Sequence, residues 1–315
     1  MSAVGSPASS RARQMPRLSL PGHPEPVRAA YFADPHLTRF GDRFYAYGTA
    51  EPRGPIATFE AIWSRHLLHW KSGGQVLTPL ASTFGDSYWA PEVVERDGSF
   101  WMYYSVGSGI DRHHIRVAVA DSPLGPFVDC GVNLTPDETF AIDAHPFRDI
   151  DGRWYLFFAR DVLDGARPGT HLAVSRLTSP TQTGAKPRAV LAPDADWQIY
   201  ERDRQMYGRR FDWHTLEGPT VIRHGATYYL FFSGGSWEGA EYGVGVATAE
   251  HPFGPWMHHA ERSADFLDST SSGLVGPGHN SVLELDAGRY LTAFHAWNGQ
   301  RSARQMYIAP VVFEG

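Results

Sequence analysis

A chain of 315 residues that is 13% aromatic and only 20% charged, with 32 Gly and 23 Pro, is too rich in turn formers for a helical bundle and suits many short strands. A net charge of −6 leaves no basic stripe to neutralise a phosphate backbone, so nucleic acid is not an expected partner. The single cysteine, Cys130, excludes a disulfide framework and a cysteine metal cluster.

In chain order, residues 1–24 are rich in Ser, Pro and Arg and read as a disordered N-terminal extension, with residues 25–315 as one domain. The N-terminal stretch has no apolar segment of the signal-peptide kind and nothing later approaches membrane-spanning length. A cytoplasmic location without membrane contact is therefore expected, secretion being the alternative if a leader has been removed. From Ala33 one pattern recurs five times: ADPHLTRFGDRFYAYG, APEVVERDGSFWMYYS from Ala90, DAHPFRDIDGRWYLFFA from Asp143, EGPTVIRHGATYYLFFS from Glu217 and GHNSVLELDAGRYLTAFH from Gly278. Each copy is a strand, a Gly or Asp-Gly turn and an aromatic-rich returning strand, which predicts a β-hairpin. A third strand follows most copies, as in HIRVAVADSPLGPF from His114. Repeats of this size with three or four strands predict an all-β, five-bladed β-propeller in preference to a two-sheet sandwich, which would not explain the recurrence. The windows with helical character, Phe59 to His66 and Ile199 to Arg204, are expected to be loops or single turns.

The start of each first strand varies while the rest of the repeat stays constant, and there the copies carry Asp34, Glu92, Asp143, Glu217 and His279. In a propeller such positions converge at one end of the central channel. Converging carboxylates beside a neutral ligand suit glycoside hydrolysis, in which one acid protonates the leaving oxygen and one carboxylate activates water. A separation of about 6.5–9.5 Å gives inversion. Glu92 is expected to be structural and hydrogen-bonded to backbone. Taken singly, each carboxylate has an ordinary turn or surface role; together, in matching repeat positions, they predict a site. Trp89 is a candidate stacking platform for a sugar face. The segment from Trp197 to Pro219 reads as a loop over the funnel, with Tyr207, Trp213 and His214 shaping a subsite. His113 and His114 are expected at the rim.

The motifs FADP at Asp34, WAPEV at Trp89, AIDAHPF at Asp143, LEGP at Glu217 and GPGHNS at Gly276 closely resemble those of glycoside hydrolase family 43, in the family's order and spanning Phe32 to Pro310. The resemblance implies a five-bladed propeller that hydrolyses α-L-arabinofuranosides, β-D-xylosides or arabinan with inversion. It implies Asp34 as general base, Asp143 as modulator of the acid's pKa and Glu217 as general acid. It also implies sugar contacts from Phe32 and from Arg304, with Arg301 as the substitute. No cofactor is required for the chemistry; the resemblance implies a structural calcium near His279, held with waters. An oligosaccharide or polysaccharide is the expected partner. An α-L-arabinofuranosidase is preferred, because related β-xylosidases often add a large C-terminal sandwich and this sequence ends with its fifth repeat. Fructan-type motifs do not match, and a phosphorylase would need a basic cluster for which only Arg209 and Arg210 stand near. A carbohydrate-binding propeller without catalysis is the alternative from another class.

Overall fold

The computed structural model describes residues 14–20, 24–52, 57–184, 186–258, 263–286 and 288–313. Five antiparallel sheets follow one another along the chain, each beginning at the centre and stepping outward. Blade one holds Ala33–Phe40, Arg43–Thr49, Phe59–Ser64 and Lys71–Gln75; blade two holds Ser87–Arg96, Ser99–Ser108, Asp111–Ala120 and Val128–Asn133. Blade three is built on Ala141–Arg148, Trp154–Val162 and Gly169–Ser179, and blade four on Arg209–His224, Thr227–Gly234 and Gly243–Ala249. Blade five has Val275–Asp286 innermost, then Arg289–Trp297 and Arg304–Phe313. The hairpins form where predicted; in blade two the Asp97-Gly98 turn has φ of 56° and 79°, the mirror-image turn whose twist matches the strands it joins.

The second strands read as near-continuous apolar runs because both of their faces are covered by neighbouring blades. Five clusters of buried side chains occupy the five junctions between consecutive blades. Tyr47 packs with Tyr104 between blades one and two, Tyr103 with Phe158 between two and three, and Phe157 with Phe232 between three and four. Phe231 packs with Phe294 between blades four and five, and Leu37 with Ala293 between five and one, so the ring is closed.

Part of the expected extension is structured. Pro16–Leu18 pairs with Val311, Val312 and Phe313 as the outermost strand of blade five, and Tyr229 donates to the Gln14 carbonyl at 2.7 Å. Residues 1–13 lie outside the described residues. Deleting residues 1–20 uncovers the edge of Arg304–Phe313 and the apolar contacts of Met15, Leu18 and Leu20. A loss of about 3 kcal/mol is expected, read as a lower urea midpoint with kcat retained.

The two windows of helical character are strands, Phe59–Ser64 and Ile199–Met206. In Phe59–Ser64 the polar residues are buried, Glu60 being paired with Arg28, whereas Glu201, Arg202 and Asp203 of Ile199–Met206 are exposed; in both, pairing across the sheet overrides local propensity. The segment from Trp197 is a hairpin rather than a loop: Ile199–Met206 pairs with the first part of Arg209–His224, and Gly169 and Thr170 of blade three bond alongside it in parallel. The only α-helix among the described residues is the single turn Ser269–Ser272.

Candidate active site

Each innermost strand breaks its pairing at the same level. The register shifts fall between Ala33 and His36, Trp89 and Glu92, Ile142 and His145, Glu217 and Thr220, and Gly278 and Ser281. The first residue of each bulge has positive φ: 51° at Asp34, 48° at Ala90, 60° at Asp143, 54° at Gly218 and 49° at His279. Such a bulge bends the strand and re-aims side chains at the channel mouth. The true equivalents of Asp34 are therefore Ala90, Asp143, Gly218 and His279. Glu217 stands one residue earlier, level with Trp89 and Ile142, and Glu92 stands deeper, level with His36 and His145.

The bulged N–H groups explain how the carboxylates are held. At the same level the second strands carry Thr49, Ser105, Ala159, Ser233 and His295, each on the blade preceding the bulge it serves. Asp34 N–H donates to His295 Nδ1 at 3.0 Å, Ala90 N–H to Thr49 Oγ1 at 3.0 Å, Asp143 N–H to Ser105 Oγ at 2.9 Å and His279 N–H to Ser233 Oγ at 2.7 Å. Ala159 has no acceptor to offer, and the Gly218 N–H instead donates to Asp143 Oδ2 at 2.9 Å. Asp143 is thereby turned toward the strand that carries Glu217. One layer deeper, Val93 N–H donates to His36 and Val221 N–H to His145, but Pro146 has no N–H to give Glu92. Glu92 accepts from His145 Nδ1 at 2.8 Å, so its expected backbone bond is a bond to an imidazole.

The Asp34 carboxylate is buried, accepts from Thr49 Oγ1 at 2.6 Å and from Arg304 Nη1 at 3.2 Å, and lies 3.5 Å from His279 Nδ1. Burial alone would raise its pKa, but Arg304 and His279 outweigh burial and hold it well below the usual carboxylate range. Arg304 is fixed in turn by two bonds to Tyr31 Oη, of 2.6 and 3.1 Å, and lies 4.5 Å over the Trp237 ring. Glu217 has the opposite environment. Burial first and the neighbouring Asp143 second push it up to about 7, against the pull of His279 and the Tyr242 hydroxyl, which donates to Glu217 Oε1 at 2.6 Å. Asp143, buried and close to Asp34 as well, is raised to about 6. His279 is raised because three carboxylates outweigh its burial. One cleft thus holds a carboxylate that stays ionised and a carboxyl that keeps its proton near neutrality, the pairing needed for acid and base work on one bond.

These groups border a cleft of about 320 Å3, with Trp89, Tyr31, Trp237 and Arg304 among its walls. Trp89 lies flat on His113 with ring centroids 3.6 Å apart, which fixes its plane. His113 is therefore buried beneath the floor rather than set at the rim. Arg304 and not Arg301, an exposed turn residue with φ of 54°, reaches the cleft. Phe32 does not line it: fully buried, it packs with Leu37 and Met306 between blades five and one, because it precedes the bulge and faces the core. His214 is also directed away, its Nδ1 donating to the Asp212 carbonyl and its Nε2 accepting from Arg167. Trp213 lines an adjoining cavity, and Tyr207, 39% exposed at the hairpin turn, an outer one. Sequence reasoning missed Tyr31, Trp237, Tyr242 and His295. Tyr242 and His295 stack at 5.9 Å behind the carboxylates, and His295 had a signal in its place on the fifth second strand. No three His, Cys, Asp or Glu side chains among the described residues stand together as a metal site.

Gly278 lies directly against this machinery, since a Cβ there would fall 2.1 Å from the Tyr242 ring. Gly278→Ala is expected to displace Tyr242 from Glu217 and lower kcat about tenfold, with a fall in Tm. A crystal structure of the variant with Tyr242 unmoved, or unchanged kinetics, would contradict this.

Comparison with known proteins agrees with the geometry. The chain is 27% identical over 286 residues to a β-D-galactofuranosidase of Aspergillus niger, covering 86% of this chain and 75% of that protein. It is 25% identical to an extracellular exo-α-(1→5)-L-arabinofuranosidase of Streptomyces avermitilis, over 91% of this chain and 58% of that longer protein. The crystal structure of a thermostable family-43 glycoside hydrolase superposes with a TM-score of 0.78 at 27% identity, covering 93% of this chain and 96% of the other. The model of glycosyl hydrolases family 43 matches residues 23–315, and the chain belongs to that family of inverting glycosidases.

Proposed function

We propose that this glycosidase is an exo-acting α-L-arabinofuranosidase in which Asp34 activates the attacking water, Glu217 protonates the leaving oxygen and Asp143 keeps Glu217 protonated. The observation that carries the reading is the different setting of two carboxyls that line one cleft. Asp34 accepts from Arg304 and Thr49 and lies 3.5 Å from His279, which keeps it ionised. Glu217, beside Asp143, accepts from the Tyr242 hydroxyl and has no cation bonded to it among the described residues, and burial and Asp143 raise it. Water deprotonated by Asp34 attacks the anomeric carbon while the glycosidic oxygen takes the proton of Glu217, so one bond forms and one breaks on opposite faces of the sugar. Arg304, charged and pinned by Tyr31, offers donors to the sugar hydroxyls, and Trp89 offers a flat apolar face. Two relatives named for furanosides favour a five-membered ring over a xyloside. The word extracellular in the name of one of them favours the secreted alternative over the cytoplasmic expectation.

The test is to follow hydrolysis of aryl α-L-arabinofuranoside and aryl β-D-xyloside by NMR. Inverted L-arabinose released faster than xylose supports the reading; preference for the xyloside transfers the same mechanism to a β-D-xylosidase. Asp143→Asn removes the like charge beside Glu217, so the alkaline limb of kcat/KM moves to lower pH while burial still keeps it above the ordinary Glu range. An unmoved limb would remove Asp143 from this role.

A further inference from the structure

The catalytic cleft does not end at Glu217. A second cavity of about 80 Å3 lies between blade three and the hairpin of Ile199–Met206, and Glu217, Trp89, Ile110, Ile142, Tyr200 and Trp237 border both spaces. Asp34, Asp143, His279 and Arg304 line only the first; Asp161, Arg204 and Trp213 line only the second. If Glu217 protonates the glycosidic oxygen and Asp34 directs water from the opposite side, the departing group lies beyond Glu217, in the second cavity. That cavity continues into an outer one of about 500 Å3 through Ile110, Phe140, Arg204 and Met206, so the track has room for more than one unit.

We propose, resting on the glycosidase reading above, that this space is a leaving-group subsite for a sugar ring of an oligosaccharide, and that Asp161 and Arg204 select that ring by its hydroxyls. Asp161 is built into place: Oδ1 accepts from Thr170 Oγ1 at 3.0 Å and Oδ2 from the Tyr207 hydroxyl at 2.6 Å, which leaves each oxygen one lone pair for a ligand hydroxyl. Arg204 lies across the Tyr200 and Trp213 rings, 4.6 and 5.9 Å from their centroids, its Nε ion-paired with Glu201 Oε2 at 3.3 Å. A carboxylate, a guanidinium and indole walls around a small cavity are the chemistry of a saccharide site, with flat faces for the ring and charged groups for its hydroxyls. The sequence shows neither residue as part of the funnel, because Asp161 lies near the end of the second strand of blade three and Arg204 stands on the added hairpin.

The experiment compares kcat/KM for an α-(1→5)-linked arabinobiose and for 4-nitrophenyl α-L-arabinofuranoside, whose leaving group has no hydroxyl for Asp161, in wild type, Asp161→Ala and Asp161→Asn. The ratio of disaccharide to aryl kcat/KM is expected to fall roughly 10- to 100-fold in both variants, the effect of one hydrogen bond to a charged group. A ratio within threefold of wild type, or parallel loss on both substrates, overturns the subsite. Wild-type turnover of the aryl substrate reports on the functional reading by itself. Titration of Glu217→Gln by tryptophan fluorescence reports on the subsite by itself: the disaccharide must bind more tightly than L-arabinose and lose that advantage with Asp161→Ala, and equal binding of the two sugars overturns the proposal whatever the turnover.

Discussion

Glu217→Gln is expected to lower kcat on an arabinofuranosyl oligosaccharide about 1000-fold, and on a 2,4-dinitrophenyl glycoside less than about tenfold. A sugar alkoxide leaves poorly without a proton, whereas dinitrophenolate needs none, so the loss should track the basicity of the leaving group. Equal losses on both substrates would show that Glu217 positions rather than protonates. The same substitution bears on stability. Glu217 is raised to about 7 in the folded chain against about 4.3 when unfolded, so between those values the folded protein binds the extra proton and stability falls as pH rises. Glutamine keeps the shape and cannot ionise. The variant should therefore melt higher than wild type at pH 8 and together with it below about pH 4.

Asp34→Asn is expected to abolish hydrolysis of every substrate, by about 1000-fold or more whatever the leaving group, because water activation is common to all of them. It also leaves the Arg304 guanidinium and His279 facing a neutral amide in a buried setting, with a cost of about 3–5 kcal/mol. The carboxylate's folded pKa is depressed, so its contribution is present above the unfolded value of about 3.9 and is lost as pH falls toward the folded one. The gap in Tm between wild type and variant should accordingly be wide at pH 7 and close in acid. Retention of dinitrophenyl glycoside turnover would contradict the assignment of Asp34, and a gap independent of pH would contradict its charge state.

The five hairpins were legible because each carries the same strand, turn and aromatic strand, and because burial on both faces writes the second strands as unbroken apolar runs. The register of the acids was less legible. Aligning by charge made Glu92 and Glu217 counterparts of Asp34, whereas the bulges make Ala90 and Gly218 its counterparts. A bulge is a backbone event with no fixed residue type, so a carboxylate one place earlier looks equivalent on paper and points elsewhere in space. Phe32 misled for the same reason: two residues before Asp34, it would share the face of Asp34 under strict alternation, but the bulge at Asp34 breaks that alternation and leaves Phe32 in the core. Tyr31 and Trp237 escaped notice because they lie outside the repeated pattern. Asp161 and Arg204 escaped because they meet only when the hairpin lies beside blade three.

Closing the ring through Pro16–Leu18 and the junction of blades five and one also governs the order in which this protein matures. Asp34 is made early, but the groups that keep it ionised, His279 and Arg304, follow about 250 residues or more later, and the bond to Arg304 spans 270 positions. A ribosome-bound chain can fold its early hairpins from local contacts, yet its first carboxylate stays without its counterions and open to water until the last blade arrives. Competence for water activation is therefore gained in the final docking step of folding, and a kinetic trap with one blade undocked would be a largely folded protein with an idle site.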